Sequence, residues 1–425
     1  MKLTYPKIAA LVVLAALLVL LAANMFSGGE QQVKHKIESE YAVADPQFPR
    51  AMGALLGPAL VQGTHAEALL NGDRIFPAML AAIRGAKKTI TFETYIYWSG
   101  TVGKEFADAL AERAKAGVRV HILIDWVGSQ KMESALLDEM KAAGIQIYKY
   151  HPLRWYALDR VNNRTHRKLL VVDGTTAFTG GVGIADSWSG HAQDADHWRD
   201  THYRVEGPVV AQMQAAFLDN WMKVSGTVLH DKSYFPAIEP RGNQWAQMFK
   251  SSTDGGSDSM HLMYLMSLAA ARERIDLSMA YFVPDDLALQ ALEDALKRGV
   301  KVRIIMPGSK TDAKLVRRAS RARWGPILQA GGEMYEYQPT MFHCKILVVD
   351  SLWASVGSTN FDPRSFRLND EANLNVYDRD FALRQIADFE NDLKRSKPVT
   401  YEEWVARPWT EKAWEHLWSL FGSQM

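Results

Sequence analysis

The chain has 425 residues, a formal net charge of +1 and a single cysteine, Cys344. This length is sufficient for one large duplicated domain or for two smaller ones. The near-neutral charge excludes the global basic field of most non-specific nucleic-acid binders, although a local basic site is compatible with it. One thiol excludes an intramolecular disulfide and a zinc site built from several cysteines.

The N-terminal segment is the most apolar part of the chain. Residues 8–26 contain one polar side chain, Asn24, and as a helix would be roughly 28 Å long, close to the thickness of the bilayer hydrocarbon. We expect residues 1–26 to be a single-pass anchor in the cell (inner) membrane, with a cleaved signal peptide as the alternative. Lysines on both sides of the segment leave the side of the membrane that carries the following domain open.

The next segment, residues 27–65, combines a pair of glycines with mixed charges and prolines, and we expect a linker. Beyond it the chain repeats itself. A strand, an amphipathic helix, a glycine and an apolar strand follow one another over residues 87–125 and again over residues 272–306. This alternation predicts parallel β-α-β units and an α/β fold.

The repeat divides the chain into two halves, residues 66–230 and residues 240–397, followed by a Trp-rich tail, residues 398–425. Between equivalent landmarks the first half is nine residues longer than the second, and we place the extra residues in the loop 154–165. That loop is either a substrate-binding element or a simple surface insertion.

A His-x-Lys-x4-Asp motif occurs once in each half. The two copies are His166, Lys168 and Asp173, and His343, Lys345 and Asp350. Histidine and lysine alternate along an extended segment, so both side chains project from the same face. A neutral imidazole can attack a phosphorus atom, and an adjacent ammonium can bind its non-bridging oxygens. A single copy is explained equally well by a structural strand, but two copies at equivalent places in a repeat indicate one composite active site.

Other candidate site residues follow each motif. Asp173 and Asp350 are candidate catalytic residues, although a turn-capping role is the interpretation we favour. A turn of small residues follows each aspartate, in which Gly181, Ser358 and Asn360 are candidate phosphate-binding or supporting residues. Small residues let backbone N–H groups approach an anion closely, and the asparagine adds a side-chain donor.

These motifs resemble those of the phospholipase D superfamily over nearly all of residues 66–397. Five segments are most similar to bacterial cardiolipin synthases, namely FETYIYW, HRKLLVVDG, TGGVGIAD, HWRDTHYRVEGP and GSTNFDPRSF. The resemblance implies an internally duplicated phospholipase D fold, with two mixed β-sheets flanked by helices and one shared active-site cleft. It also implies that one histidine becomes a covalent phosphohistidine while the other protonates the leaving oxygen, without a metal ion or other cofactor.

Family analogy also assigns roles to the motif residues. His166 is expected to be the nucleophile and His343 the general acid, although the sequence alone does not order them. Lys168, Lys345 and Asn360 are expected to hold the phosphoryl oxygens.

Each catalytic histidine needs an acceptor at its far ring nitrogen. Glu371, downstream of His343, matches the family's carboxylate for this task in the second half, and Asp200, downstream of His166, is the counterpart in the first. One position departs from the family pattern, because Gly183 stands where asparagine or serine usually ends the first turn. The first half-site therefore lacks one side-chain donor, which is expected to affect activity or acceptor choice without disabling the site.

The expected function is that of a phosphatidyltransferase of the cardiolipin synthase type, which condenses phosphatidylglycerol with a second phospholipid. The alternatives are a phospholipase D hydrolase, a nuclease of the same fold and, in a different class, a non-catalytic membrane scaffold that binds anionic lipid. Expected partners are phospholipids and the membrane, with neither nucleic acid nor an obligate protein partner.

Two surface features leave several interpretations open. At helical spacing, the basic residues between 310 and 323 form a cationic face for lipid headgroups, for nucleic acid or for solvent alone. The Trp-rich tail either packs onto the catalytic domain, which is the commoner arrangement, or lies in the membrane interface.

Overall fold

The computed structural model describes residues 32–152, 162–252 and 258–419, together with residues 5, 7, 12, 13, 15 and 16. Most of the expected anchor and residues 154–161 of the predicted insertion lie outside the described residues. Within the described part of the chain, no helix is long and apolar enough to cross a membrane.

The regular elements of the described residues alternate between strands and helices. The strands are β1 (Val61–Leu70), β2 (Thr89–Thr94), β3 (Arg119–Asp125), β4 (Gln146–Tyr150), β5 (Arg164–Thr165), β6 (Leu169–Val172), β7 (Thr176–Gly180), β8 (Thr201–Glu206), β9 (Gln244–Lys250), β10 (Arg274–Met279), β11 (Lys301–Pro307), β12 (Glu333–Tyr337), β13 (Lys345–Val349), β14 (Trp353–Gly357), β15 (Asn369–Asp370), β16 (Ala372–Tyr377) and β17 (Ser396–Val399). The α-helices are α1 (Gln47–Leu56), α2 (Gly72–Gly85), α3 (Thr101–Lys115), α4 (Ser134–Ala142), α5 (Val209–Ser225), α6 (Ser259–Ala270), α7 (Asp286–Lys297), α8 (Lys314–Ala322), α9 (Trp324–Gln329), α10 (Pro363–Arg367), α11 (Arg379–Leu393), α12 (Tyr401–Val405) and α13 (Trp409–Ser419).

The two predicted β-α-β units are present. Strand β2 pairs with β3 in parallel, and β10 pairs with β11 in parallel, with α3 and α7 as the crossover helices. The next strands, β4 and β12, extend each unit in parallel. The motif strands β6 and β13 then add antiparallel to β2 and β10, so each half has a mixed sheet. The α/β fold and the internal repeat predicted from the sequence are therefore confirmed.

The expectation of two separate sheets is wrong. The strands of both halves form one 15-stranded sheet in the order β17-β12-β11-β10-β13-β14-β16-β9-β1-β8-β7-β6-β2-β3-β4. Strands β1 and β9, which precede the two repeats, pair with each other in antiparallel fashion. This pairing satisfies the N–H and C=O groups that two independent sheets would each leave open at an edge.

The sheet is covered on both faces. On one face, α2, α3 and α4 pack on the strands of the first half, while α1, α6, α7 and α9 pack on those of the second. On the opposite face, α5 and α11 cover strands of both halves and form a shared core. Alternate residues of β6 enter the two different cores, as expected for a strand buried on both faces. The segment expected as a linker contains α1 and the first residues of β1, and Phe48 of α1 is fully buried.

Half of the basic residues predicted to form a cationic face around α8 pair with carboxylates of neighbouring elements. Arg321 pairs with carboxylates of α13, Arg317 pairs with Glu336, and Arg323 pairs with Asp286. Helix α13 packs along α8, so the tail packs onto the domain, the commoner of the two arrangements considered for it. A uniform basic surface is therefore not formed, because sequence spacing along one helix does not reveal the acidic residues of its neighbours.

Candidate active site

The two motif histidines lie where the halves interlock. The backbone N–H of His166 donates to the carbonyl of Asp370 at 2.9 Å, beside the short parallel pairing of β5 with β15. In the same manner, the N–H of His343 donates to the carbonyl of Arg199 at 2.7 Å. In each half, the backbone directly before an acidic residue, Glu371 or Asp200, therefore pairs with the histidine segment of the other half.

This interlocking pairs each histidine with a carboxylate of the opposite half. The Nδ1 atom of His166 lies 2.9 Å from Oε1 of Glu371, and Nδ1 of His343 lies 2.8 Å from Oδ2 of Asp200. The sequence proposed these two carboxylates as acceptors but assigned each to the histidine of its own half, whereas the structure pairs each with the histidine of the other half. The reason is topological, since β5 pairs with β15 across the halves and the segment before His343 pairs with the one before Asp200.

Both carboxylates are held by further donors. Glu371 accepts hydrogen bonds from the hydroxyl of Ser358 at 2.5 Å and from the side-chain amide of Asn369 at 3.2 Å. Asp200 accepts from the indole N–H of Trp188 at 2.9 Å and from the backbone N–H of Thr201 at 2.8 Å. Because these acceptors are fixed, each imidazole keeps its proton on Nδ1 and donates it to the carboxylate. The other nitrogen, Nε2, is then free to act as a nucleophile or to accept a proton.

Gly181 and Ser358 lie against the carboxylates that hold the histidines. The N–H of Gly181 donates to the carbonyl of Thr201 at 3.2 Å, and a Cβ at this glycine would lie 2.1 Å from Oδ1 of Asp200. Ser358 gives its hydroxyl to Glu371 and accepts from the N–H of Ala372 at 3.0 Å. The small residues of these turns therefore make room for the histidine partners.

The two lysines lie beside the histidines. Nζ of Lys168 donates to the carbonyl of His166 at 2.8 Å, and Nζ of Lys345 donates to the carbonyl of His343 at 2.7 Å. Nζ of Lys345 is also 3.2 Å from Nε2 of His343. Both ammonium groups are almost fully buried, at 4% and 2% exposure for the two residues, so their charge acts in a medium of low polarity.

Burial sets the protonation of the four groups. It lowers the pKa of His166 to about 4, against the opposing effect of Glu371, and it lowers the pKa of Lys168 to about 7. Burial followed by the charge of Lys345 lowers the pKa of His343. Burial opposes ionisation of Glu371, but the adjacent His166 and Lys168 outweigh it and leave the pKa of that carboxyl below its usual value. Both imidazoles are therefore neutral at neutral pH before an anion binds.

The motif aspartates hold turns at the far ends of their strands. Asp173 accepts from the backbone N–H groups of Lys87, Lys88 and Thr89 at 2.7–2.9 Å. Asp350 accepts equivalently from three consecutive backbone N–H groups, those of residues 272–274. Both aspartates adopt a left-handed backbone, with φ of 52° and 49°, which short polar residues tolerate. These contacts support the turn-capping interpretation.

The residues at the ends of the two small turns differ. At Gly183, a Cβ would lie 2.8 Å from Cβ of Ile96 and 3.2 Å from the ring of Trp188, so no asparagine fits there. In the second half, the side-chain oxygen of Asn360 is buried and has no hydrogen-bond partner among the residues that the structure describes. The second turn thus offers a polar amide at a place where the first turn is filled by apolar groups.

Four aromatic rings lie next to the two histidines, and they were not predicted from the sequence. The ring of Tyr95 contacts His166 edge-on at 5.2 Å, and the rings of Trp188, Trp198 and Tyr281 lie 5.2, 5.5 and 6.4 Å from that of His343. Tyr95 directly follows β2 and Tyr281 lies two residues after β10, so a tyrosine close to the end of this strand occurs in both halves, although at positions offset by one residue. The two tryptophans have no counterpart in the second half, so the repeat contains no signal for them.

Comparison with known proteins agrees with this architecture. A family model described as "Cardiolipin synthase, PLD-like domain" matches residues 79–221 and 264–393. The chain is 37% identical over 339 residues to cardiolipin synthase 2 of Bacillus cereus, covering 79% of this chain and 66% of that protein. It is 35% identical over 345 residues to the major cardiolipin synthase ClsA of Bacillus subtilis, covering 80% and 71% of the two chains. The chain therefore spans about two thirds of the length of these relatives.

A solved structure shares the fold. Phosphatidylserine synthase from Haemophilus influenzae superposes with a TM-score of 0.70 at 15% sequence identity, covering 89% of this chain and 100% of that one. At this identity the likeness concerns the fold alone, which is mixed α/β and phospholipase D-like. Together with the family model and the curated relatives, it leads to one conclusion: the chain belongs to the cardiolipin synthase family of phospholipase D-like proteins.

Proposed function

We propose that this chain is a phosphatidyltransferase of the cardiolipin synthase type, which condenses phosphatidylglycerol with a second phospholipid. The observation that carries the proposal is the crossed pairing of His166 with Glu371 and of His343 with Asp200. Two imidazoles with fixed Nδ1–H groups and two buried ammonium groups provide a nucleophile, a proton donor and a positive field in one site. The names of the relatives point to the same reaction.

In the first step, Nε2 of His166 attacks the phosphorus of phosphatidylglycerol. A nitrogen–phosphorus bond forms and the phosphorus–oxygen bond to the glycerol headgroup breaks, while His343 donates a proton to the leaving oxygen. His343 must therefore be protonated when the substrate is bound. A phosphodiester anion beside the ring provides the negative charge that raises the pKa of this imidazole from its lowered value in the free protein.

In the second step, a hydroxyl of the second phospholipid attacks the phosphohistidine. His343, now neutral, takes the hydroxyl proton, the new phosphorus–oxygen bond forms and the bond to Nε2 of His166 breaks. Lys168, Lys345 and the amide of Asn360 hold the non-bridging oxygens in both steps. Exclusion of water from the buried site favours the lipid hydroxyl over hydrolysis.

We further propose that the apolar segment 8–26 anchors the chain in the cell membrane, ahead of catalytic halves at residues 66–230 and 240–397. Support comes from the length of the apolar run, which matches the hydrocarbon thickness. An anchor would keep the site at the surface where its lipid substrates are concentrated.

Product analysis tests the proposed reaction. The full chain, reconstituted in vesicles with labelled phosphatidylglycerol, is expected to yield cardiolipin and free glycerol. The His166→Ala variant should yield neither, whereas the matched variant of an exposed histidine, His230→Ala, should retain activity. Phosphatidic acid as the main product would identify a hydrolase instead, and cleavage of single-stranded DNA would identify a nuclease. No turnover of either substrate would favour a non-catalytic scaffold.

A further inference from the structure

Helix α13 (Trp409–Ser419) turns its apolar side toward solvent. Trp409, Ala413 and Leu417 recur every four residues and lie along one side of the helix, with Trp414 next to them. The exposed fractions of Trp409, Trp414 and Leu417 are 78%, 55% and 43%, and Ala413 is also exposed. A helix on the surface of a globular protein normally buries such a stripe in the core, so this orientation is reversed.

The side of α13 that packs on α8 is the charged one. Glu415 is only 2% exposed, with Oε1 3.3 Å from Arg321 and Oε2 3.1 Å from Arg407. Glu411 lies 3.4 Å from Arg321 as well. The glutamates of this helix, which in the sequence argue against contact with an anionic surface, are therefore turned away from the stripe and neutralised.

Both helices of this pair also expose cations. Lys314 and Arg318 are exposed on α8, one turn apart and next to the exposed Leu315, and Lys412 is exposed on α13. Among the described residues, none of these three cations pairs with a carboxylate. A pair of packed helices that exposes an apolar stripe with two tryptophans together with unpaired cations has the chemistry of a surface that contacts an anionic bilayer.

This surface adjoins the candidate active site. Helix α8 begins two residues after Asp312, whose carboxylate accepts a hydrogen bond from the hydroxyl of Tyr281 at 2.7 Å. The ring of Tyr281 in turn contacts that of His343. Arg321 near the end of α8 pairs with Glu411 near the start of α13, and the two helices pack along each other, so α13 runs back toward the start of α8. A bilayer against the stripe would lie on the side of the domain where Asp312 and Tyr281 connect α8 to His343.

We propose that the surface formed by the apolar stripe of α13 and the exposed cations of α8 is a docking surface for an anionic lipid bilayer. The tryptophans and Leu417 enter the interfacial layer, while Lys314, Arg318 and Lys412 contact the headgroups. Docking holds this side of the domain against the membrane, independently of the N-terminal anchor, and it does not require turnover.

The single cysteine makes the test straightforward. Cys344 is fully buried, so a cysteine introduced on the surface is the only accessible thiol of the described chain. The Ala413→Cys variant places a spin label at the centre of the stripe and keeps both tryptophans. The Lys141→Cys variant places the same label at an exposed position of α4 in the other half. Each full-length variant is reconstituted in vesicles of phosphatidylcholine with or without phosphatidylserine, which supplies negative charge without the proposed donor substrate.

The label at 413 is expected to lose accessibility to a water-soluble relaxing agent and to gain accessibility to oxygen in the anionic vesicles, while the label at 141 stays aqueous. In the Ala413→Cys background, Lys314→Ala with Arg318→Ala should weaken this docking by roughly 25-fold, because each cation near an anionic surface contributes about fivefold. A label at 413 that stays aqueous in anionic vesicles would overturn the proposal. Shielding of that label in detergent, before vesicles are present, would overturn it too, since another segment or a second copy would then cover the stripe.

Discussion

The most informative single substitution is Glu371→Gln. In the native chain, three donors share the two oxygens of this buried carboxylate, namely Nδ1 of His166, the hydroxyl of Ser358 and the amide of Asn369. Glutamine keeps the shape but leaves one acceptor oxygen for three donors and adds a competing N–H₂ group. The negative charge that stabilises a positive charge on His166 during bond formation is also lost.

The expected loss of kcat can be estimated from the hydrogen bond between Glu371 and His166, which the substitution weakens. A hydrogen bond to a charged group contributes about 1.5–3 kcal/mol, which corresponds to roughly 10- to 150-fold in rate. We therefore expect the kcat of Glu371→Gln to fall about 100-fold, with KM little changed, because the Glu371 side chain has 0% exposure and does not reach the substrate. The assay is cardiolipin formation at saturating phosphatidylglycerol, with Glu105→Gln on the exposed side of α3 as a matched control.

The crossed arrangement adds a structural readout. Nitrogen-15 spectra of the histidine rings should show a changed tautomer equilibrium at His166 in Glu371→Gln and at His343 in Asp200→Asn. Signals are assigned by comparison with the two histidine variants. A response of His343 to Glu371→Gln, with His166 unaffected, would refute the crossed pairing. An unchanged kcat would refute the role of the carboxylate.

Three further predictions concern the turns and the titrating groups. The Asp173→Ala variant should lose about 1–2 kcal/mol of unfolding free energy in urea titrations, because several backbone N–H groups lose their acceptor. Its kcat per folded molecule should be unchanged. A loss of kcat at unchanged stability would indicate a catalytic role instead. The Gly181→Ala variant should lose activity because the added methyl group would collide with Asp200. Steady-state kinetics equal to those of the wild type would contradict this, since the turn would then shift enough to avoid the collision. A pH profile of kcat/KM reports groups of the free enzyme. The value should fall below about pH 4, where His166 gains a proton, and fall toward alkaline pH as His343, whose pKa is lowered by burial, and then Lys168, near pH 7, lose theirs. A flat profile from pH 6 to pH 9 would contradict these roles.

The repeat and the paired motifs could be predicted from the sequence, and the two carboxylates could be named as candidate partners of the histidines. Apolar periodicity around the helices and strands of each half predicts β-α-β units because burial of one face depends on local spacing. His166 and His343 were selected because a purely structural repeat does not require a histidine on the exposed face of both strands. A tyrosine near the end of the first strand of each β-α-β unit, Tyr95 and Tyr281, could have been noticed in the same way.

The remaining features depend on contacts between the halves. Whether Glu371 faces His166 or His343 is decided by the pairing of β5 with β15, two-residue strands that leave no periodic signal. The single continuous sheet depends on β1 meeting β9, and one strand alone does not identify its neighbour. Gly181 was read as an anion-binding residue because a glycine next to a carboxylate and one next to a phosphate leave the same pattern.

Trapping the phosphohistidine distinguishes one composite site from two separate sites. The full chain is mixed with phosphatidylglycerol carrying labelled phosphorus, quenched in base within one turnover and digested for mass spectrometry. A base-stable, acid-labile phosphatidyl group is expected on Nε2 of His166, at no more than one group per chain. Labelling of both His166 and His343 in the same chain, or turnover without any labelled histidine, would contradict one composite site that acts through a phosphohistidine.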